Sequence, residues 1–351
     1  MYFASDNAGP AHPAIMQAMA DANTGYALPY GADTIMDDVR AQIRDTFEAP
    51  NAAVYLVATG TAANSLALSC VCQPFETIFC SPVAHIHEDE CNAPEFFSGG
   101  AKLTLVGQGD KMTPQTLRTA IANEETRGVH GPKRGPVSIT QLTERGSAYS
   151  VQELTDLCAV AKGFGLPVHL DGARFGNAMM ALGCTPAEMT WKAGVDVVSF
   201  GGTKNGCVGV EALILFDPDK AMEFELRRKR GAHLFSKHRY LSAQMQSYLA
   251  DDLWQKNASQ ANANCARLVA GLRDTETVSF MHEPQANMIF CSFPRAAHQR
   301  LHDAGAMYYV WSGTLEGDDP NEMLEARLVC DWSISDALID QFVDLVRGNT
   351  P

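Results

Sequence analysis

The sequence predicts an α/β fold: a mainly parallel central sheet in a large amino-terminal domain, followed by a smaller α+β unit. Three observations carry that expectation. Strand-type and helix-type segments alternate through the first two thirds of the chain. The helix-type segments open on residues that cap helices. The residues with obvious chemistry fall at the carboxyl ends of strand-type runs, where ligands bind in such sheets.

Taken in order, "TIMDDVRAQIRDTF" (34–47) has helical apolar spacing, with Thr34 and Asp37 at capping-box separation. "AAVYLVATG" (52–60) reads as a strand ending at glycine, and "TAANSLALSCV" continues as a helix. "TPQTLRTAI" (113–121) has a threonine cap and proline at the first helical position. "SVQELTDLCAVAKGFG" (150–165) pairs Ser150 with Glu153 and stops at glycine. "LPVHLDGAR" (166–174) is a strand and its turn, "TPAEMTWKAG" (185–194) a further capped helix, and "VDVVSFGG" (195–202) a second strand. The large domain is expected over residues 1–240 and the smaller one over 241–351. The latter opens on a long helical stretch from Arg239 to Leu272, continues through strands near 286–293, 306–311 and 325–332, and closes with a helix.

The 351 residues carry a formal net charge of −14, with 46% hydrophobic and 19% charged residues. Such a balance suits an ordinary globular protein and argues against nucleic acid or an anionic membrane surface as partner. Ten cysteines are scattered without disulfide or zinc-ligand spacing, so no metal site is expected. "MYFASDNAGP" has an aspartate where a signal peptide needs apolar residues, and no apolar run reaches membrane-spanning length. A reduced, cytoplasmic protein is the expectation.

Three features hold the chemistry. Lys204 sits in "GGTKNG", directly after a strand, with Thr203 before it and glycines on either side. A lone loop lysine is ordinarily solvated, but an amine that must form a Schiff base needs desolvation and free space. Asp171, in "VHLDGARFGNA", lies 33 residues earlier, also at a strand end. A carboxylate there can keep a pyridine nitrogen protonated. "ATGTAAN" (58–64) places Gly60 and Thr61 where a helix start can hold a phosphate. It matches neither a Walker loop nor a dinucleotide fingerprint. Phosphate cup, ring-nitrogen acid and Schiff-base lysine together point to pyridoxal 5′-phosphate.

With "FASDNAGPAHPAIMQAM", "YGADT", "GTAAN", "AHIHEDE", "VHLDGARFGNA", "SFGGTKNG", "ANMIF" and "ARLVCDW" in this order, the chain resembles the threonine aldolase branch of the fold-type I pyridoxal-phosphate enzymes over essentially its full length. The resemblance implies that Lys204 bonds the cofactor and Asp171 pairs with its ring nitrogen. It further implies that His85 lies over the ring and handles protons, that Gly60 and Thr61 bind the phosphate, and that Thr203 and Arg174 also contact the cofactor. Arg239 would reach a neighbouring subunit's phosphate. Arg174 and Arg327 would clamp the substrate carboxylate, Ser5 would touch it, and Tyr30, in the matched "YGADT", would also bind the substrate. Glu90 follows His85 at the family's spacing, yet Glu90, His87 and His169 read equally well as structural. A homodimer or homotetramer with sites at the subunit interface is implied as well.

The implied reaction is retro-aldol cleavage of L-3-hydroxy-α-amino acids (L-threonine, L-allo-threonine or a phenylserine-like substrate) to glycine and an aldehyde. Other reactions on the same scaffold, β-elimination, racemisation or transamination, compete with it, as does a silent cofactor-binding protein. One departure is specific: many family members carry a second histidine where "ITQLTERGSAYS" (139–150) has Glu144. A carboxylate can accept a proton or order a water there, with a different reach. Preference for a bulkier or aromatic substrate is the expectation that follows.

Overall fold

The computed structural model describes residues 1–349. A seven-stranded sheet comprises β1 (Ala53–Val57), β2 (Glu76–Cys80), β3 (Lys102–Leu105), β4 (Lys133–Thr140), β5 (Val168–Gly172), β6 (Val197–Gly201) and β7 (Glu211–Leu215). Their spatial order is β1-β7-β6-β5-β4-β2-β3. β3, β2, β4, β5 and β6 pair in parallel, and β7 runs antiparallel between β6 and β1. β5, β6 and β7 are buried along their whole length, as expected when helices cover both faces. A second, antiparallel sheet contains β8 (Ser279–Phe280), β9 (Met288–Pro294), β10 (Tyr309–Ser312) and β11 (Met323–Val329) in the order β10-β11-β9-β8.

Each sheet organises its own apolar core. The larger one joins strand residues such as Leu56, Val168 and Ile214 to Leu241, Met245, Tyr248 and Trp254 from the helices after residue 238. The smaller one joins Cys265, Leu268 and Leu272 to β9, β11 and the closing helix Asp336–Arg347, and takes in Phe3 from the amino terminus. Phe3 packs edge-on against Phe342 at 4.9 Å between ring centroids, and Asp6 accepts both from Arg174 after β5 and from Asn287 before β9, so the first residues tie the two sheets together.

Capping behaves as the sequence reading expects at two helices. Thr113 caps Pro114–Asn123, and the reciprocal Ser150–Glu153 box starts Val151–Gly163. Elsewhere the structure corrects it. The helix Thr34–Thr46 is capped by Asp33, whose carboxylate accepts from the Met36 amide, and not by Thr34. Residues 185–194 form the expected reciprocal Thr185–Glu188 bonds but go on as turns and a short 3₁₀ segment, Trp191–Ala193. The long helical stretch breaks at Asp251 and Asp252, both at positive φ, into Arg239–Leu249 and Leu253–Arg273. The reason for Gly201 and Gly202 also changes. A Cβ on Gly201 would stand 2.6 Å from the Ala173 carbonyl oxygen, and one on Gly202 2.7 Å from that of Val210. Close backbone approach, rather than room for a ligand, demands these two glycines.

Candidate active site

The carboxyl ends of β1, β2, β4, β5 and β6 all open on one side of the sheet. A cavity of about 270 Å³ lies there, lined among others by Thr59, Gly60, Thr61, His85, Asp171 and Lys204. The chain supplies these groups through the segments that leave the strands. β1 runs into the helix Gly60–Val71, whose first turn faces the cavity with Thr59 as its cap. His85 begins a one-turn helix after β2, Asp171 is the penultimate residue of β5, and Lys204 lies in the 3₁₀ turn after β6.

One hydrogen-bonded chain crosses the cavity floor. The buried Asn64 uses both amide hydrogens, one to Glu90 Oε1 and one to Asp171 Oδ2, each at 2.9 Å. Glu90 Oε1 is also 3.0 Å from His85 Nδ1. Asp171 Oδ1 accepts from the Ala173 amide at 3.0 Å, so the carboxylate is held from two sides. Burial works against charge on His85, yet the Glu90 bond together with Glu144 and Asp171 holds its pKa above the ordinary histidine value. Burial, with Asp171 adding to it, pushes Glu90 up despite His85 and Asn64. Two raised values across one short contact describe an imidazole and a carboxyl that hold a proton between them. With Nδ1 engaged by Glu90, Nε2 is the nitrogen left for the cavity.

Glu144 is half-buried in the loop after β4. Gln141 fixes that loop by bonding the Tyr149 backbone through both ends of its amide, at 2.7 and 2.9 Å. Glu144 acts electrostatically on His85, Arg174 and Arg327 alike, favouring the charged form of each, although Arg327 remains lowered by burial and Arg174.

Arg174 and Arg327 come from β5's exit and from β11. Arg174 is buried and forms a two-pronged ion pair with Asp6, Nε to Oδ2 at 2.7 Å and Nη2 to Oδ1 at 2.9 Å. Arg327 is half-buried, donates through Nη1 to the Ala4 carbonyl at 3.3 Å, and is held by burial and by Arg174 below the usual guanidinium value.

Six expected residues do not line the cavity: Glu144, Arg174 and Arg327, just described, and Ser5, Tyr30 and Arg239. Ser5 accepts the Asn7 amide, while Asn7 itself faces the cavity. Tyr30 is exposed at positive φ, with Lys229 above its ring. Arg239 donates to the Thr24 and Gly25 carbonyls. His169, read as either structural or functional, is structural: buried beneath the sheet between Ser138 and Ser199, it is pushed down to about 4 by burial. His87 is exposed.

Sequence reasoning missed Asp6, Asn64 and Glu211 and left Glu90 undecided. A weak signal existed for two of them: Asn64 is the one amide side chain in "TAANSLALSCV", and Glu211 is the only charge in "VEALILF".

A sheet of this order with a lysine, an aspartate and a helix amino terminus converging on one cavity defines the class of fold-type I enzymes that work through a cofactor bound to lysine. The chain belongs to the beta-eliminating lyase family, whose sequence profile matches residues 2–294. It is 41% identical to the low specificity L-threonine aldolase of a Pseudomonas species, covering 99% of this chain and 97% of that one. Against the Pseudomonas aeruginosa enzyme of the same name it is 42% identical, over 98% and 96% of the two chains. The solved threonine aldolase of Leishmania major superposes with a TM-score of 0.91 at 25% identity, over 99% of this chain and 98% of that one. A serine palmitoyltransferase from Sphingomonas wittichii shares the fold at 16% identity and a TM-score of 0.73, over 99% of this chain and 86% of that one.

Proposed function

We propose that this protein is a pyridoxal-phosphate-dependent carbon–carbon lyase that cleaves L-3-hydroxy-α-amino acids, L-threonine among them, to glycine and an aldehyde. The observation that carries the reading is the joining of Asp171, Asn64, Glu90 and His85 into one hydrogen-bonded chain across the cavity that also holds Lys204.

The cavity suits the cofactor. Asn64 Oδ1 and Glu90 Oε2 are buried there without partners, and a Cβ at Gly60 would meet nothing within 4 Å, so the helix start is open to a phosphate. When bound, pyridoxal phosphate supplies a conjugated ring that accepts the electron pair released as Cα–Cβ breaks. Lys204 is the amine that would bond it, Gly60, Thr61 and Thr203 would face its phosphate, and Asp171 would keep its ring nitrogen protonated.

This chain's residues do the rest. Arg174 and Arg327 would hold the substrate carboxylate and so select which bond at Cα is presented for cleavage. Asp6 neutralises Arg174 on one edge and leaves Nη1 for the substrate. His85 Nε2 takes the β-hydroxyl proton, directly or through a water, with Glu90 fixing the tautomer. Glu144 lies close enough to tune that proton transfer and to shape the space for the substrate side chain. Lys204 is the amine that would hold the cofactor when no substrate is bound.

The aromatic and aliphatic side chains of Tyr26, Leu28, Tyr30 and Phe235 are exposed on one stretch of surface that also carries Arg239. Such a surface supports assembly with a second copy, through which Tyr30 and Arg239 would reach the neighbouring site. Among the described residues no helix is long and apolar enough to cross a membrane. The cytoplasm is the compartment we propose. The test of the function is absorption and turnover together: with pyridoxal phosphate the wild type should show the near-visible band of the lysine-bound cofactor and cleave L-threonine, and Lys204→Ala should lose both. A wild type without the band refutes the reading.

A further inference from the structure

Glu211 is the first residue of β7 and the sole charge in a strand that is otherwise alanine, leucine and isoleucine. It stands opposite Gly201 on one side and Val57 on the other, and its side chain lines the cavity beside Lys204. Both carboxylate oxygens are gripped by the two residues that precede Lys204. Thr203 Oγ1 lies 2.6 Å from Oε1, and the Gly202 amide donates to Oε2 at 2.8 Å. The Val210 amide donates in turn to Thr203 Oγ1 at 3.2 Å. Glu211 therefore has a hydroxyl and an amide for partners and, among the described residues, no cation in direct contact, an unusual state for a buried carboxylate.

A threonine hydroxyl has one proton to give. While Glu211 is ionised, that proton points at Oε1, and Thr203 can offer the cavity only a lone pair. If Glu211 is protonated, Oε1–H donates to Thr203 Oγ1, and the threonine proton is released toward the cavity. An anionic oxygen beside Thr203 favours the second arrangement strongly, since it needs a donor and is repelled by a lone pair.

We propose that Glu211 takes up a proton from solvent when a phosphate group occupies the cavity, reversing Thr203 from acceptor to donor toward it. The proposal rests on the reading of the cavity as a phosphate-cofactor site. Burial pushes the Glu211 carboxyl up to about 7 against the bonds from Thr203 and Gly202, so both states are within reach near neutrality. The groups facing it are Lys204, which favours the ionised form, Asp171, which opposes it, and the neutral Cys207 and Tyr248, whose own ionisation burial suppresses.

The experiment measures binding of pyridoxal phosphate and of pyridoxal, which lacks the phosphate, to the full-length chain stripped of cofactor, by quenching of intrinsic fluorescence. Glu211→Gln mimics the protonated state, with its amide donating to Thr203 and its carbonyl accepting from Gly202. Protonations of cofactor and Lys204 are common to both proteins, so the readout is the ratio of wild-type to variant Kd. For pyridoxal phosphate that ratio should grow toward tenfold per pH unit above the midpoint, reaching about 30-fold near pH 8.5. Pyridoxal should show no such growth. Thr203→Val, which has no proton to redirect, should lack the wild type's extra pH dependence, and it decides the matter if Glu211→Gln does not fold. A flat ratio, an equal slope for pyridoxal, or a Thr203→Val protein that keeps the wild-type slope would overturn the proposal. A wild type that binds neither probe would instead overturn the cofactor reading itself.

Discussion

Neutralising Asp6 removes the only contacting counter-charge, among the described residues, of a guanidinium that cannot reach solvent. The side chains of Arg174 and Asp6 are 3% and 1% exposed and share two bonds of 2.7 and 2.9 Å. In Asp6→Asn the amide oxygen keeps one of these bonds at most, and the remaining carboxylates, Glu144 and Asp171, act on Arg174 only through space. Breaking a buried pair on one side destabilises by about 3–5 kcal/mol, because the other charge stays buried and uncompensated. For a chain of 351 residues the unfolding entropy is about 0.7 kcal/mol/K, which converts the loss to roughly 4–7 °C in Tm. The assay is differential scanning calorimetry of the cofactor-free protein, Asp6→Asn beside the double variant Asp6→Asn/Arg174→Gln. The double variant should recover much of the loss, since it removes the stranded charge. The pair also sets a pH dependence. Although burial alone would raise the Asp6 pKa, Arg174, Lys204 and Asn287 outweigh it and hold it below the ordinary carboxylate value. Its stabilisation is therefore full above the unfolded value near 3.8 and disappears as pH falls through the lower folded value, which should flatten the acid side of the wild-type/variant difference. A Tm change under about 1 °C, with no recovery in the double variant, would refute the reasoning.

Other consequences can be read from the same geometry. Glu90→Gln keeps a hydrogen bond to His85 but removes the charge that favours its protonated form, so the acid limb of kcat/KM should move to lower pH; an unmoved limb would separate His85 from the proton transfer. Because the folded His85 pKa is raised, its contribution to stability is full below about 6.5 and lost as pH rises through the folded value, and Glu90→Gln should shrink that component in thermal scans taken across the range. Glu144→Gln takes a negative charge away from Arg174 and Arg327, so KM for L-threonine should fall while kcat falls too; rates with L-threonine, L-allo-threonine and phenylserine would show whether this residue also ranks the substrates. Gly202→Ala drives a methyl to 2.7 Å from the Val210 carbonyl oxygen and should destabilise by about 1–3 kcal/mol in urea unfolding.

Much of the site was legible because its groups sit where strands end. Lys204, Asp171 and Gly60–Thr61 each follow a recognisable strand, and one cavity brings them together. The parallel sheet followed from alternation and caps, and the missed details have local causes. Asp33 rather than Thr34 caps its helix because extended backbone and side-chain reach at the cap are decided by the chain's entry into the helix, which the pattern alone does not reveal. Residues 185–194 form their cap bonds, yet Ala187 and Met189 are drawn into the core and Thr190 bonds back to Pro186, so no regular helix extends from the cap. Asp6, Asn64 and Glu211 were hidden for another reason. Their partners lie 168, 107 and 8 residues away, and only the folded chain shows which of them are neighbours.

The most direct test of the central claim is a product balance on L-threonine with the purified, cofactor-loaded protein. Glycine and acetaldehyde should form one for one, without ammonia, and Lys204→Ala should form neither. Ammonia and a keto acid as the main products of the wild type would contradict the account, because Arg174 and Arg327 would then be presenting a different bond to the ring.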